Sequence, residues 1–232
     1  MDLNFNRLLK REMQWLYNNR CHRHNRRYTE HPNCFHWDKE HNKLPQTCPM
    51  TERVGFLDIE ASNLKADFGY IISYCIKKEN GKILEYILSP KEIRNYHFDK
   101  HLIEKLCNDI IKFDRIIVYW GKNWRFDIPF VRSRAIFWNV DFPGYKELYV
   151  TDVWNDVKSK LCLHRSRLAD ACNFLDIPAK THPLKPMIWM KALAGDKKSL
   201  KYILQHNRED VISLEKVWRV LEKYDNLGKS SI

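Results

Sequence analysis

The chain has 232 residues, 44% of them hydrophobic, enough for one sizeable domain with a small appendage. No stretch is apolar and long enough to span a membrane, and the polar opening MDLNFNRLLKREMQWLYNNR does not read as a secretory signal, so a cytoplasmic setting is expected. Seven cysteines there should be buried or metal-bound rather than paired, and a net charge of +11 favours nucleic acid over membrane as partner.

Residues 1 to about 20 show helical spacing, with Leu8, Leu9, Met13 and Leu16 on one apolar stripe. The segment from 21 to about 50 is dense in His, Cys and Arg and too poor in aliphatics to order itself unaided. Within it, Cys21-x2-His24 and His31-x2-Cys34 bracket a short loop, a spacing that suits tetrahedral zinc. His22, His36, His41 and Cys48 offer alternative ligands, and a basic loop that binds nothing is the plain alternative. From residue 51 to 232 the composition is that of an α/β domain. Strands are expected at 53–59, 70–77 and 82–88, then a helix over 98–112, a strand at 115–120, a helix near 128–139 and a strand at 147–151. Helices fill the remainder. The last, roughly 198–223, should bury Leu200, Ile203, Leu204, Val211, Leu214, Val217, Trp218 and Leu221. Three consecutive strands followed by strand–helix alternation imply a mixed sheet of about five strands flanked by helices.

Asp58 and Glu60 lie two apart in the apolar run GFLDIEASNL, so they project from one face of a strand. Two acids so placed repel unless a cation lies between them, and a hard divalent ion such as Mg²⁺ or Mn²⁺ suits oxygen donors. Taken alone, they could equally end a strand in solvent. Asp127 precedes Ile128-Pro129, and by itself it reads best as the N-cap of a helix. His206 and Asp210 are only about 40° apart around a helix, which an exposed pair would satisfy equally well.

Together the three motifs resemble those of the DEDD (DnaQ-like) 3′–5′ exonucleases of the ribonuclease H-like superfamily. Asp58-Ile59-Glu60 matches the acid–x–acid motif, Asn123-Trp124-Arg125-Phe126-Asp127 the Asn–x–x–Phe–Asp motif, and His206 with Asp210 the last, over residues 53–223. The chain looks most like microbial and phage exonucleases related to the polymerase B proofreading domain. One departure is the His–x3–Asp spacing, in which a histidine stands where the x3 branch carries tyrosine.

The resemblance implies a ribonuclease H-like fold and a metal-dependent 3′–5′ exonuclease acting on DNA or RNA, with single strands favoured. It further implies that Asp58 bridges two Mg²⁺ or Mn²⁺ ions, with Glu60 and Asp210 on one and Asp127 on the other. His206 would orient or deprotonate the attacking water. Lys122, Asn123, Trp124 and Arg125, with Arg132 and Arg134, are candidates for holding a strand by phosphate contact and stacking. The zinc-stabilised N-terminal element would help to grip nucleic acid. Two other classes stay open: an inactive nucleic-acid-binding module with this fold, and a ribonuclease H-like endonuclease.

Overall fold

The computed structural model describes residues 8, 10–40, 44, 53–79, 81–95, 98–122, 125–178 and 180–224. Leu9, His41, Cys48, Asn123 and Trp124, and the side chain of His36, lie outside the described residues.

Five strands form one sheet: β1 (Val54–Ala61), β2 (Ile71–Lys78), β3 (Ile83–Ile87), β4 (Arg115–Val118) and β5 (Tyr149–Asp152), in the order β3-β2-β1-β4-β5. The first three pair antiparallel, while β4 lies parallel to β1 and to β5. This is the mixed sheet expected from the order of elements, and four of the five strands begin within one residue of the reading. β4 ends earlier than expected, at Val118, because the chain turns sharply there, with Trp120 at φ 59°.

Along β1 the side chains alternate between two cores. Leu57 and Ile59 face a cluster built with α4 (Lys100–Ile110) and α5 (Asp127–Trp138), including Leu102, Leu106 and Val131. Phe56 faces the opposite cluster, formed with α6 (Val153–Lys160), α7 (Leu168–Phe174) and the long α9 (Lys197–Leu221). Asp58 and Glu60 share the parity of Phe56, so they emerge beneath α9. A register shift between Glu60 and Ala61 then turns the strand away.

α9 starts at the Asp196 cap, whose carboxylate accepts from Ser199 N–H at 2.7 Å. Its apolar stripe lies on the sheet as the periodicity requires, Trp218 meeting Phe56 edge-on at 5.4 Å; of the eight expected residues only Leu204 is partly covered. A short helix, α8 (Pro186–Leu193), packs against the first half of α9, and a one-turn helix, α3 (Pro90–Ile93), follows β3. No helix among the described residues is long and apolar enough to cross a membrane.

The N-terminal part holds α1 (Lys10–Asn18) and α2 (Pro32–Glu40) around a small cluster of Leu8, Leu16, Cys21, Tyr28 and Phe35. α2 is a helix within the Cys/His-rich segment, where the sequence pattern predicts no regular element. Pro32 at its first position favours helix entry, Phe35 is buried in the apolar cluster, and buried Asp38 accepts from Tyr28 O–H and His22 N–H.

Candidate functional site

The carboxylates of three distant segments meet beneath α9. His206 Nε2 lies 3.2 Å from Asp210 Oδ2 and 3.7 Å from Glu60 Oε1. Candidate ligand atoms of Glu60, His206 and Asp210 all fall within 4.8 Å of one another. The helix is pinned here by Asn207, wholly buried, whose Nδ2 donates to the Asp58 carbonyl at 3.3 Å. Asp210 is 8% exposed, so the pair is not the exposed one that helical spacing alone allows.

Asp127 is the first residue of α5 rather than its cap. The capping position belongs to Phe126, and Asp127 Oδ1 instead accepts the Ile59 N–H at 3.3 Å, reaching across to β1. The reason is the turn before it. Buried Asp152, which also caps α6 at Trp154 N–H, accepts from Trp120 N–H at 2.8 Å, Lys122 N–H at 3.1 Å and the Arg125 guanidinium at 2.6 Å. This hub bends the chain at Gly121, where an added Cβ would collide with the Asp127 carboxylate and come within 2.8 Å of Val118 Cβ. Nothing in the local sequence around Asp152 marks that role.

The electrostatics of the cluster are those of too many acids in too little water. Burial raises Asp58 to about 7, against the opposing pull of Lys180. Glu60 and Asp127 are held well above the ordinary carboxylate range, first by burial and then by the charge of Asp58. Lys180 places its ammonium on Asp210, and burial brings its own pKa down despite Asp58 and Glu60. A set of hard oxygen donors that cannot all ionise without added positive charge fits divalent cations such as Mg²⁺ or Mn²⁺.

His206 Nδ1–H donates to the His182 carbonyl at 2.5 Å, which leaves Nε2 unprotonated and turned to the carboxylates. Burial, the larger effect, lowers its pKa, so the ring is neutral near pH 7. The 180–182 segment is clasped by Glu209, which accepts from Thr181 N–H at 3.0 Å, Thr181 Oγ1–H at 2.6 Å and His182 N–H at 3.1 Å. Burial pushes Glu209 up, but these bonds and the His182 ring outweigh it and bring it down to about 2. Lys180, His182 and Glu209 were not foreseen: the stretch PAKTHPLKP falls where helices are expected, and residues 180–185 are not helical.

A groove of about 570 Å³ leads away from Glu60 between Leu64, Phe126, Leu184, Trp189 and Met190. Several basic candidates do not point into it. Lys122 Nζ donates to the Val150 carbonyl at 2.6 Å, Arg125 binds Asp152 and Asn155 while covering Trp154 at 4.2 Å, and Arg134 is buried against Asp99 at 2.6 Å. Arg132 is half-buried. Away from the carboxylates, donor atoms of Cys21, His24, His31 and Cys34 also lie within 4.8 Å of one another.

A mixed five-stranded sheet with an acid–x–acid pair on its central strand, closed by acids from two helices, defines a ribonuclease H-like nuclease domain. The RNase_H superfamily model matches residues 55–222, and the chain belongs to that superfamily. Among solved structures, the family B DNA polymerase of the hyperthermophilic archaeon Pyrobaculum calidifontis aligns with a TM-score of 0.60 at 16% identity, covering 77% of this chain and 25% of the polymerase. This chain therefore spans a quarter of that polymerase's length, and the likeness shows a shared fold. Brucella melitensis NrnC aligns with a TM-score of 0.48 at 16% identity, over 78% of this chain and 77% of that one. No curated protein matches the chain in sequence.

Proposed function

We propose that residues 51–232 form a 3′–5′ exonuclease that hydrolyses phosphodiester bonds of nucleic acid strands with two Mg²⁺ or Mn²⁺ ions. The observation that carries the nuclease reading is the convergence of Asp58, Glu60, Asp127 and Asp210, the first three driven toward neutrality by burial and crowding and the last buried beside His206 and Lys180.

Asp58, Glu60 and Asp210 would help to hold one ion, and Asp58 with Asp127 the other. Ions held there would supply a lowered water pKa and positive charge for the phosphate and the leaving oxygen. His206 receives the proton of the attacking water at Nε2. Its ring is fixed by the His182 carbonyl, and its lowered pKa keeps it available as a base at neutral pH. Lys180, clasped in place by way of Glu209, supplies a positive charge at the edge of the carboxylates where a phosphate oxygen would lie. The groove beside Glu60 is in the size range of small-ligand sites, which suits a single terminal nucleotide stacked on Phe126 or Trp189. All four acids are present, which weighs against an inactive binding module.

Digestion of end-labelled DNA and RNA single strands with Mg²⁺ or Mn²⁺ tests this reading. Stepwise ladders from the 3′ end that vanish with EDTA and with Asp58→Ala are expected. Internal cuts, trimming from the 5′ end, or activity that survives Asp58→Ala would refute it.

A further inference from the structure

The carboxylate cluster leaves unexplained a second set of metal-type donors in the N-terminal element. Cys34 Sγ lies 3.3 Å from His24 Nδ1 and 3.6 Å from His31 Nδ1, and Cys21 Sγ lies 4.0 Å from His24 Nδ1. In a zinc tetrahedron with Zn–S about 2.3 Å and Zn–N about 2.0–2.1 Å, sulfur and nitrogen are roughly 3.6 Å apart. The three separations bracket that edge length. Both imidazoles approach through the same nitrogen, their rings 5.1 Å apart and tilted by 65°.

The backbone is shaped for the same purpose. His24 N–H points at Cys21 Sγ at 3.4 Å, a bond that stabilises a thiolate, and Asn25 closes the turn at φ 54°. Cys21 N–H donates to the Arg26 carbonyl at 2.7 Å, and Arg20 and Arg27 form a single bridge. Pro32 then starts α2, which returns Cys34 to face the knuckle.

The segment also needs a staple. Its apolar core among the described residues is five buried side chains with four partly buried ones against them, including Trp15 stacked on Tyr28 at 5.6 Å, and Tyr28 lies edge-on to Phe35 at 5.5 Å. Tyr28 O–H and His22 N–H both donate to buried Asp38, at 2.7 and 3.0 Å. So small a core does not order a chain of this length against its conformational entropy.

We infer that Cys21, His24, His31 and Cys34 bind one tetrahedral Zn²⁺, and that this ion folds residues 10–40 into a latch on the end of the sheet away from the carboxylates. The latch engages through α1. The Arg11 guanidinium reaches the buried Asp114 carboxylate, Lys10 N–H donates to the Lys146 carbonyl at 3.1 Å, and Lys10 Nζ pairs with Glu147 at 2.7 Å. Asp114 also accepts from Arg53 N–H at 2.8 Å, so it ties the starts of β1 and β4 together. Arg115 is in register with Val54, four residues before Asp58, or about 13 Å along the strand. The zinc element thus braces the sheet from its other end and does not line the catalytic cleft. This inference stands apart from the nuclease reading.

Metal analysis of the full chain, purified with its thiols reduced and no chelator, is expected to find about one zinc per chain. Cys34→Ser and His24→Ala should abolish it, while Asp58→Ala should retain it. Cobalt substitution of the unmutated chain guards against variants that fail to fold. It should give the visible bands of tetrahedral Co²⁺ together with a thiolate charge-transfer band. Strong chelation should open Arg20, Arg23, Arg26 and Arg27 to trypsin, and added zinc should close them again. Absence of zinc, zinc lost with Asp58→Ala but kept with Cys34→Ser, cobalt without a thiolate band, or a tryptic pattern indifferent to chelation would each overturn the inference.

Discussion

Asp58→Asn should make the metal-free protein more stable, although it removes the central acid of the site. The side chain keeps its shape and loses its ability to ionise. In the folded chain burial raises Asp58 from 3.8 to about 7. An acid whose folded pKa is raised favours folding fully below its unfolded pKa, and that contribution is lost as pH climbs through the folded value. For Asp58 the loss spans roughly pH 4 to 7 and amounts to about 4 kcal/mol once ionisation is complete, the opposing charge of Lys180 already included. A chain of this size shifts Tm by roughly 2–4 °C per kcal/mol, so a gain of about 10 °C is expected for the variant in EDTA at pH 8, and almost none at pH 4. Thermal scans of both proteins from pH 4 to 8, with EDTA and with Mn²⁺, measure it. Mn²⁺ should stabilise the unmutated chain most at high pH and the variant far less. A variant less stable than the parent in EDTA at pH 8, or a parent whose metal-free Tm does not fall with rising pH, would refute the crowding argument.

Removing the imidazole in His206→Ala should cut kcat by about 10²–10⁴ and erase the acid limb of the pH–rate profile, which in the parent lies below the ordinary histidine value because burial lowers its pKa; full activity with an unchanged profile would exclude His206 as base. Lys180→Met keeps length and loses charge, so the metal-free protein should be less stable near neutrality. Mn²⁺ should bind it more tightly, since the ammonium no longer competes for Asp210; calorimetric titration and thermal scans that move neither way would contradict this. Gly121→Ala should displace Asp127 and cost about 1–3 kcal/mol from overpacking against Val118, with loss of activity exceeding loss of stability. An active, equally stable Gly121→Ala protein would show that the turn tolerates a Cβ.

Much of the fold follows from period alone. The alternation in GFLDIEA and the helical stripe from Leu200 to Leu221 each have one solution that buries their apolar face, so β1 and α9 lie within a residue or two of where periodicity puts them. Parity likewise sends Asp58 and Glu60 to one side together. Local signals were less reliable where a single polar residue has two good uses. Asp127 before Ile128-Pro129 looks like a cap, yet its carboxylate is committed to the Ile59 N–H across the sheet. Lys122, Arg125 and Arg134 look like phosphate contacts by composition, yet each answers a buried carbonyl or carboxylate in a distant segment.

What the amino-acid sequence determined by itself was the shared face of Asp58 and Glu60 on β1 and the closeness of His206 and Asp210 around α9, because strand and helix periods act over neighbouring residues. What only the tertiary structure decided was which groups stand among those acids and how they are held. Lys180 beside Asp210, the Glu209 clasp, the His182 carbonyl that fixes His206 and the Asp152 hub all depend on segments tens of residues apart. The docking of α1 through Lys10 and Arg11 near the starts of β4 and β5 is of the same kind. Such contacts are chosen by the packing of whole elements, and no local pattern carries that information.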